Sequence, residues 1–336
     1  MIKKIRIMMS DVTNPWFNLA TEDWIFRELD ANCHTLFLWR NAETVVIGRY
    51  QNPWAECKTD KMAADDIYLA RRQSGGGAVF HDLGNTNFTF LSPKTDYDQN
   101  ANFNIIISAL KSLGITAKQT GRNDIAVDGR KISGSAFKHA GDRSFHHGTL
   151  LVNANISKLA DYLNPHPLKL KAKGITSVRA RVANLVDFNP TIDHDKLCRS
   201  IIDHFCQYYG QHIEVEYLDE KELTQNNHLN QYYEMMADWN WRFGKTPEFS
   251  HRMENRFDWG IVDLHLNVKN AVIVDVEIFS DALDIQLIEA IKTALLNTTY
   301  QMDDIGKKLD ACVGDNSNWR APITEIKSWM ASEVKS

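Results

Sequence analysis

GRNDIAVDGRKISGSAF, residues 121–137, is the stretch on which the reading of the chain turns. Asp128-Gly129 stands between two apolar runs, the pattern of a two-residue type I′ hairpin whose central residues both need positive φ. With that turn, Val127 faces Arg130, Ala126 faces Lys131, Ile125 faces Ile132 and Asp124 faces Ser133. Paired residues share a face, and side chains alternate with period two. Ile125, Val127 and Ile132 therefore point to a core, and Asp124, Ala126, Lys131 and Ser133 point the other way. Asp124 and Lys131 become diagonal neighbours, roughly 7–8 Å apart at the backbone. Such a pair either holds a charged group between its ends or is a surface salt bridge worth about 0–1 kcal/mol.

Strands and helices alternate on both sides of this hairpin. Ile5, Ile7 and Met9 alternate with Arg6, Met8 and Ser10 as a first strand, and residues 18–30 have the spacing of an amphipathic helix with acidic residues between the apolar ones. LFLW (36–39) and TVVIG (44–48) read as two short strands joined by RNAE in a hairpin. Residues 102–114 form a buried helix stopped by Gly114, and 193–209 a second helix. From 219 to 249 the pattern decays into polar residues with interspersed aromatics. Strands with Lys269-Asn270 near a turn, and then helices, complete the chain. The expectation is an α/β chain of two domains, residues 1–250 and a small α+β piece, 251–336.

A chain of 336 residues suits two domains at about 150 residues each. Its 43% hydrophobic and 24% charged residues fit a globular protein, and the net charge of −5 argues against a nucleic-acid or polybasic membrane surface. Five cysteines without a CxxC pair argue against a disulfide framework and a Cys-based zinc site, and for a reducing compartment such as the cytoplasm. No apolar run approaches the roughly 20 residues of a bilayer span. In the N-terminal MIKKIRIMMSD, Arg6 and Asp11 interrupt what resembles a secretory leader.

RRQSGGGAVFHD (71–82) sets three glycines after Arg71 and Arg72. Either the glycines admit an anion to bare backbone amides or they form a flexible turn. The run matches neither GxxxxGK[ST] nor GxGxxG. His146 and His147 are adjacent on a strand, so they face opposite sides and cannot share a metal; one can line a pocket while the other is a core or surface histidine. Lys169, Lys171, Lys173, Arg179 and Arg181 form a basic stretch suited to a polyphosphate or simply to solvent. There is no GxSxG elbow, and residues 58–197 hold no cysteine. Any catalysis there rests on charge stabilisation and not on a Cys–His acyl-enzyme.

Taken together, PWFNLATED (15–23), LFLWRN (36–41), TVVIGRYQNPWAEC (44–57), RRQSGGGAVFHDLGNTNF (71–88), GRNDI (121–125), RKISGSAF (130–137), FHHGTLL (145–151) and KGITSVRARV (173–182) resemble the bacterial lipoate–protein ligase A family. The resemblance implies a mixed sheet flanked by helices, related to biotin ligases and class II synthetases, with an accessory C-terminal domain. It implies ATP and Mg²⁺, a lipoyl-adenylate intermediate, and transfer to a lysine of apo lipoyl domains of 2-oxoacid dehydrogenase complexes or of the glycine-cleavage H protein, by a monomer that binds neither nucleic acid nor membrane. By the same resemblance Lys131 is the essential lysine, contacting the lipoyl carboxyl and the α-phosphate. Arg72, Gly77, Ala78, Val79 and Phe80 bind nucleotide. Asn123 and Asp124 lie at the phosphates, with Asp124 on the metal. Trp39 ends the lipoate tunnel, with Ser74, Gly76, His81 and His147 along it, and residues around 165–183 close over the adenylate. The rival readings are an octanoyltransferase that uses no ATP, a biotin ligase and a non-catalytic lipoate-binding protein. Ser144, standing where related transferases carry a cysteine, favours the ligase.

Overall fold

The structure is a computed structural model that describes residues 3–164, 182–243, 251–269 and 271–333. The described residues group into two compact units. The first holds the chain up to Ile47, Pro53–Gln73 and Ala78–Phe243; the second holds Gly48–Asn52, Ser74–Gly77 and the chain from Gly244 on.

The first unit contains strands β1 (Lys4–Ser10), β2 (Cys33–Trp39), β3 (Thr44–Ile47), β4 (Tyr68–Arg71), β5 (Val79–His81), β6 (Asn85–Pro93), β7 (Lys118–Thr120), β8 (Asp124–Val127), β9 (Arg130–Ala140), β10 (Arg143–Leu151) and β11 (Val215–Leu218). Eight of them form a mixed sheet in the order β11-β1-β2-β6-β10-β9-β8-β7. β1 pairs in parallel with β11 and β2, and the other pairs are antiparallel. Helices α1 (Pro15–Glu28), α2 (Gln99–Ser112), α3 (His194–Tyr209) and α4 (Asn227–Ala237) cover this sheet. Ile5, Ile7, Leu36, Leu38, Phe88 and Phe90 pack with α2 and α3 residues in one core, while Met8, Phe37, Trp39, Leu91 and Phe145 pack with α1 and α4 residues in another. Both faces of the sheet are thus buried, which is why every residue of β2 is buried.

Several expectations change here. β1 buries Met8 as fully as Ile7, because each face of the sheet has its own core. β2 and β3 do not form a hairpin: β2 lies between β1 and β6, whereas β3 joins β4 and β5 in a separate three-stranded sheet. The RNAE link carries the chain from one sheet to the other, with Ala42 N–H donating to Thr13 O at 2.8 Å. Two short apolar runs look alike whether they pair or part. The 219–249 stretch is helical in part, with Asn226 capping α4 through the Leu229 N–H. Helix α2 runs to Ser112 with Gly114, the stop read from the sequence, at φ 79°, and α3 ends on Gly210 at φ 65°.

In the second unit, β12 (His251–Phe257), β13 (Gly260–Lys269) and β14 (Val272–Ser280) make an antiparallel sheet. Helices α5 (Ile285–Leu295), α6 (Met302–Val313) and α7 (Arg320–Glu333) follow. Leu264, Leu266, Val276, Ile288, Ile291, Leu309 and Ile326 are among its core residues. No helix among the described residues is long and apolar enough to cross a membrane.

Candidate functional site

The hairpin forms with Asp128 at φ 50° and Gly129 at φ 76°. Val127↔Arg130 and Ala126↔Lys131 pair as expected, but a bulge then shifts the register, so Ile125 faces Ser133 and Asp124 faces Gly134. Ser133 is therefore opposite Ile125 and fully buried, not beside Asp124. The extra residue brings Gly134 under the lysine: a Cβ there would lie 2.8 Å from Lys131 Nζ. Lys131 Nζ reaches Asp124 Oδ1 at 2.7 Å, with both side chains part-exposed. Lys131 O also accepts from the Ala183 N–H at 2.9 Å, tying the strand to the chain after the 165–181 segment. Next to them, Asn123 Nδ2 donates to Ser135 O at 2.7 Å and the Ser135 N–H returns a bond to Asn123 O at 2.8 Å.

Strand register carries this face inward. Beyond Gly134, Ala136 faces His147, His147 faces Thr89 and Thr89 faces Phe37, so all lie on the sheet face covered by α1. There a chain of buried polar groups runs from strand to helix. Trp39 Nε1 donates to Thr89 Oγ1 (3.2 Å), whose hydroxyl donates to Glu22 Oε1 (2.6 Å), and His147 Nδ1 lies 2.9 and 3.0 Å from the two Glu22 oxygens. Glu22 is 2% exposed and Thr89 fully buried. Arg72 is buried and donates from Nη1 to Val46 O at 3.2 Å. Burial lowers its pKa to about 10, which leaves it charged at neutral pH, and the nearby Glu22 carboxylate works against that shift. His81, edge-on to Trp39 at 6.2 Å between ring centroids, is pushed down to about 3 by burial and by the neighbouring Arg72 and His147. It is neutral at physiological pH.

Glu22, Asp23, Asn41, Thr89 and Lys138 were not singled out from the sequence. Glu22 and Asp23 stand three and four residues after Leu19 and before Phe26, inside the apolar stripe of α1, and that spacing was a usable signal. Lys138 is buried, 3.4 Å from both Asp23 Oδ1 and Gln73 Oε1, with its Nζ 5.0 Å above the Phe26 ring. The two histidines point to opposite faces of the sheet, as strand alternation requires. His147 joins the polar chain, while His146 is fully buried among Phe88, Phe90, Phe103 and Phe137 and held neutral, its pKa near 3.

Arg71 and Arg72 also separate. Arg71 donates to Trp241 O and Arg242 O at 2.8 Å, a structural task, while Arg72 turns inward. Val79, Phe80 and His81 form β5 against β3, with Ala78 partly buried just before it. Ser74, Gly76 and Gly77 belong to the second unit. There Ser74 O accepts from the Arg49 N–H at 2.9 Å and the Gly76 N–H donates to Ala282 O at 3.0 Å. Gly75 is a glycine because a Cβ would meet Ala282 O at 2.2 Å, and Gly76 because its φ is 91°. At Gly77 a Cβ would touch nothing within 4 Å. The run is thus partly a packing device at Gly75, whereas Gly77 has the open space that an approaching ligand needs. The closing loop expected around 165–183 and the basic stretch at 169–181 fall almost wholly outside the described residues.

Among the described residues no three His, Cys, Asp or Glu side chains gather as a metal cluster. The cysteines form no disulfide, and burial raises the Cys57 and Cys198 thiols to about 12. Ser144 is fully buried, its Oγ 2.7 Å from His139 Nδ1.

Residues 14–206 match the model of the lipoyl protein ligase A/B catalytic domain, and 246–330 that of the bacterial lipoate protein ligase C-terminus. The chain is 64% identical over 337 residues to lipoate-protein ligase A of Psychrobacter cryohalolentis, covering 99% of each chain. It superposes with a TM-score of 0.86 on the P. falciparum LipL1 crystal structure in complex with lipoate, at 36% identity, covering 98% of this chain and 99% of that one. A crystal structure of a lipoate-protein ligase A bound with ATP matches at TM-score 0.63 and 25% identity, over 72% of this chain and 99% of its own.

Proposed function

The chain belongs to the lipoate–protein ligase family of enzymes, and from that premise we propose that it joins lipoate to acceptor proteins in two ATP-dependent steps. In the first, a lipoate carboxylate oxygen attacks the α-phosphorus of ATP and pyrophosphate leaves. In the second, the neutral ε-amine of an acceptor lysine attacks the acyl carbon, and AMP leaves. The acceptors are apo lipoyl domains of 2-oxoacid dehydrogenase complexes and the glycine-cleavage H protein. Residues 1–250 supply the chemistry and 251–336 act as the accessory domain, in a cytoplasmic monomer.

One observation carries this reading: the Lys131 ammonium, 2.7 Å from Asp124, stands on the same sheet face as the buried chain from Trp39 to His147. A carboxylate meeting an α-phosphate is repelled by like charge, and a fixed cation between them lowers that barrier. Lys131 supplies it, and Arg72 adds a second, buried cation in a medium where charge acts strongly. In this reading lipoate's carboxylate lies at Lys131 and its acyl chain runs toward Trp39, where each methylene buried would add about 0.8 kcal/mol. His81 and His147 flank the acyl chain, and Ala78, Val79, Phe80 and Asn123 the nucleotide.

A lone part-exposed carboxylate is a usual protein contribution to Mg²⁺, which keeps waters and takes the remaining ligands from phosphates. Asp124, with Asn123 beside it, fits that donor set. The ion would supply positive charge at the phosphates. A transferase using a thioester is disfavoured by the buried Ser144 and by the high thiol pKa values. The test is pyrophosphate release from lipoate and MgATP by wild type and Lys131→Ala. Loss of release in a folded variant supports the assignment, and near-normal release overturns it.

A further inference from the structure

We propose that Asn41 is a positioning residue that holds His81 as its Nε2–H tautomer, so that this ring donates a hydrogen bond to an acceptor atom of the acyl substrate. The inference rests on the ligase reading above and extends it to a residue outside the site as first drawn.

The argument runs through three buried side chains of the first unit. Asn18 Nδ2 lies 2.9 Å from Val12 O, 3.0 Å from Arg40 O and 3.0 Å from Asn41 Oδ1. Two of those partners are backbone carbonyls, which only accept, so the nitrogen of Asn18 must face them. Asn41 therefore presents its oxygen to Asn18 and its NH₂ to His81, whose Nδ1 is 3.3 Å away. An amide donor at Nδ1 leaves that nitrogen bare, and a neutral imidazole then carries its proton on Nε2. The ring is neutral because burial and the adjacent Arg72 cation disfavour its charged form. Asn18 and Asn41 are fully buried and His81 is 4% exposed.

His81 Nε2 is buried without a hydrogen-bond partner. Native interiors rarely leave a donor in that condition, since the missing bond costs about 1–3 kcal/mol. The ring stands against Trp39 and within electrostatic reach of Arg72 and His147, all assigned above to the lipoate site. With the carboxylate at Lys131, the atom of a substrate that can satisfy it there is a dithiolane sulfur.

Histidine ¹⁵N spectra of the full chain test the tautomer without turnover, with the His81 signal assigned by its loss in His81→Gln. The expected result is a bare Nδ1 and a protonated Nε2, the latter shifting when lipoate is added. Protonated Nδ1 in the free protein, or no response to lipoate in an enzyme that makes ATP-dependent adduct, overturns the proposal. Absence of adduct from wild type overturns instead the ligase reading. Asn41→Asp keeps an acceptor for Asn18 but offers His81 an acceptor in place of a donor. It should move the proton to Nδ1 and raise KM for lipoate about tenfold with a smaller change in kcat. That penalty should vanish in a His81→Gln background, because glutamine has no tautomer to invert. An undiminished penalty there shows a merely structural Asn41. Octanoate, which has no sulfur, tests the acceptor: a KM increase for lipoate alone is expected, and an equal increase for both acids overturns the assignment to sulfur.

Discussion

Gly134→Ala is the most discriminating single substitution for the role of Lys131. Gly134 is opposite Asp124 across the bulge, and its backbone is not in the positive-φ region, so alanine fits the main chain. The new methyl, however, would lie 2.8 Å from Lys131 Nζ, 3.1 Å from Lys131 Cε and 3.7 Å from Asp124 Oδ1. The end of a flexible side chain must move, and the ammonium leaves its present place by about an ångström. The stability effect is small. A part-exposed ion pair contributes about 0–1 kcal/mol, and replacing glycine in a strand returns roughly 0.5–1 kcal/mol. Activity should respond differently, because a displacement of about 1 Å in a charge-stabilising group can cost about 100-fold in rate. Pyrophosphate release with lipoate and MgATP, beside a calorimetric melting curve, should show that loss with an unchanged Tm. Wild-type turnover in Gly134→Ala would refute the placement of Lys131 at the reacting phosphate, and a large drop in Tm would mean that the glycine serves packing.

Acid should weaken the fold through its buried histidines. His81 and His146 have folded-state values depressed to about 3, so their neutral forms contribute full stability above about pH 6.5, and this is lost as pH falls toward 3. Each accounts for about 2 kcal/mol between pH 7 and pH 5, and His146→Leu should remove one such share in urea titrations at the two pH values; an unchanged difference would contradict it. The glycine run should split in the same assay. Gly75→Ala, which drives a methyl into the Ala282 carbonyl, should cost about 3 kcal/mol. Gly77→Ala should leave stability within about 0.5 kcal/mol while weakening ATP binding in calorimetric titration, and unaltered ATP affinity would remove Gly77 from the nucleotide site.

Local chemistry was legible where one physical rule dominates. Asp128-Gly129 has few alternatives to a tight turn, and Gly114 ends a helix because left-handed backbone favours glycine. What escaped was whatever depends on a neighbour distant in the chain. The bulge at Ile125/Ala126 leaves no mark in a pattern of alternation, yet it sets which residue lies under Lys131. The parting of β2 from β3 follows from which strands flank them, not from their own composition. The site divides in the same way. Lys131 with Asp124 and the glycine segment stand out as short motifs. Glu22 and Asp23 read as the polar residues of an amphipathic helix unless their spacing from Leu19 and Phe26 is weighed, and α1 covering the sheet on their side makes that spacing decisive. Asn41 has no motif at all, and its place depends on Asn18 of helix α1 and His81 of β5 both reaching it in the link between β2 and β3.

The account stands most directly on the mass of an acceptor. An apo lipoyl domain incubated with this protein, lipoate and MgATP should gain one lipoyl group by intact-mass analysis, and should gain none when ATP is withheld. An adduct formed without ATP, or none formed by folded protein with every substrate present, would contradict it.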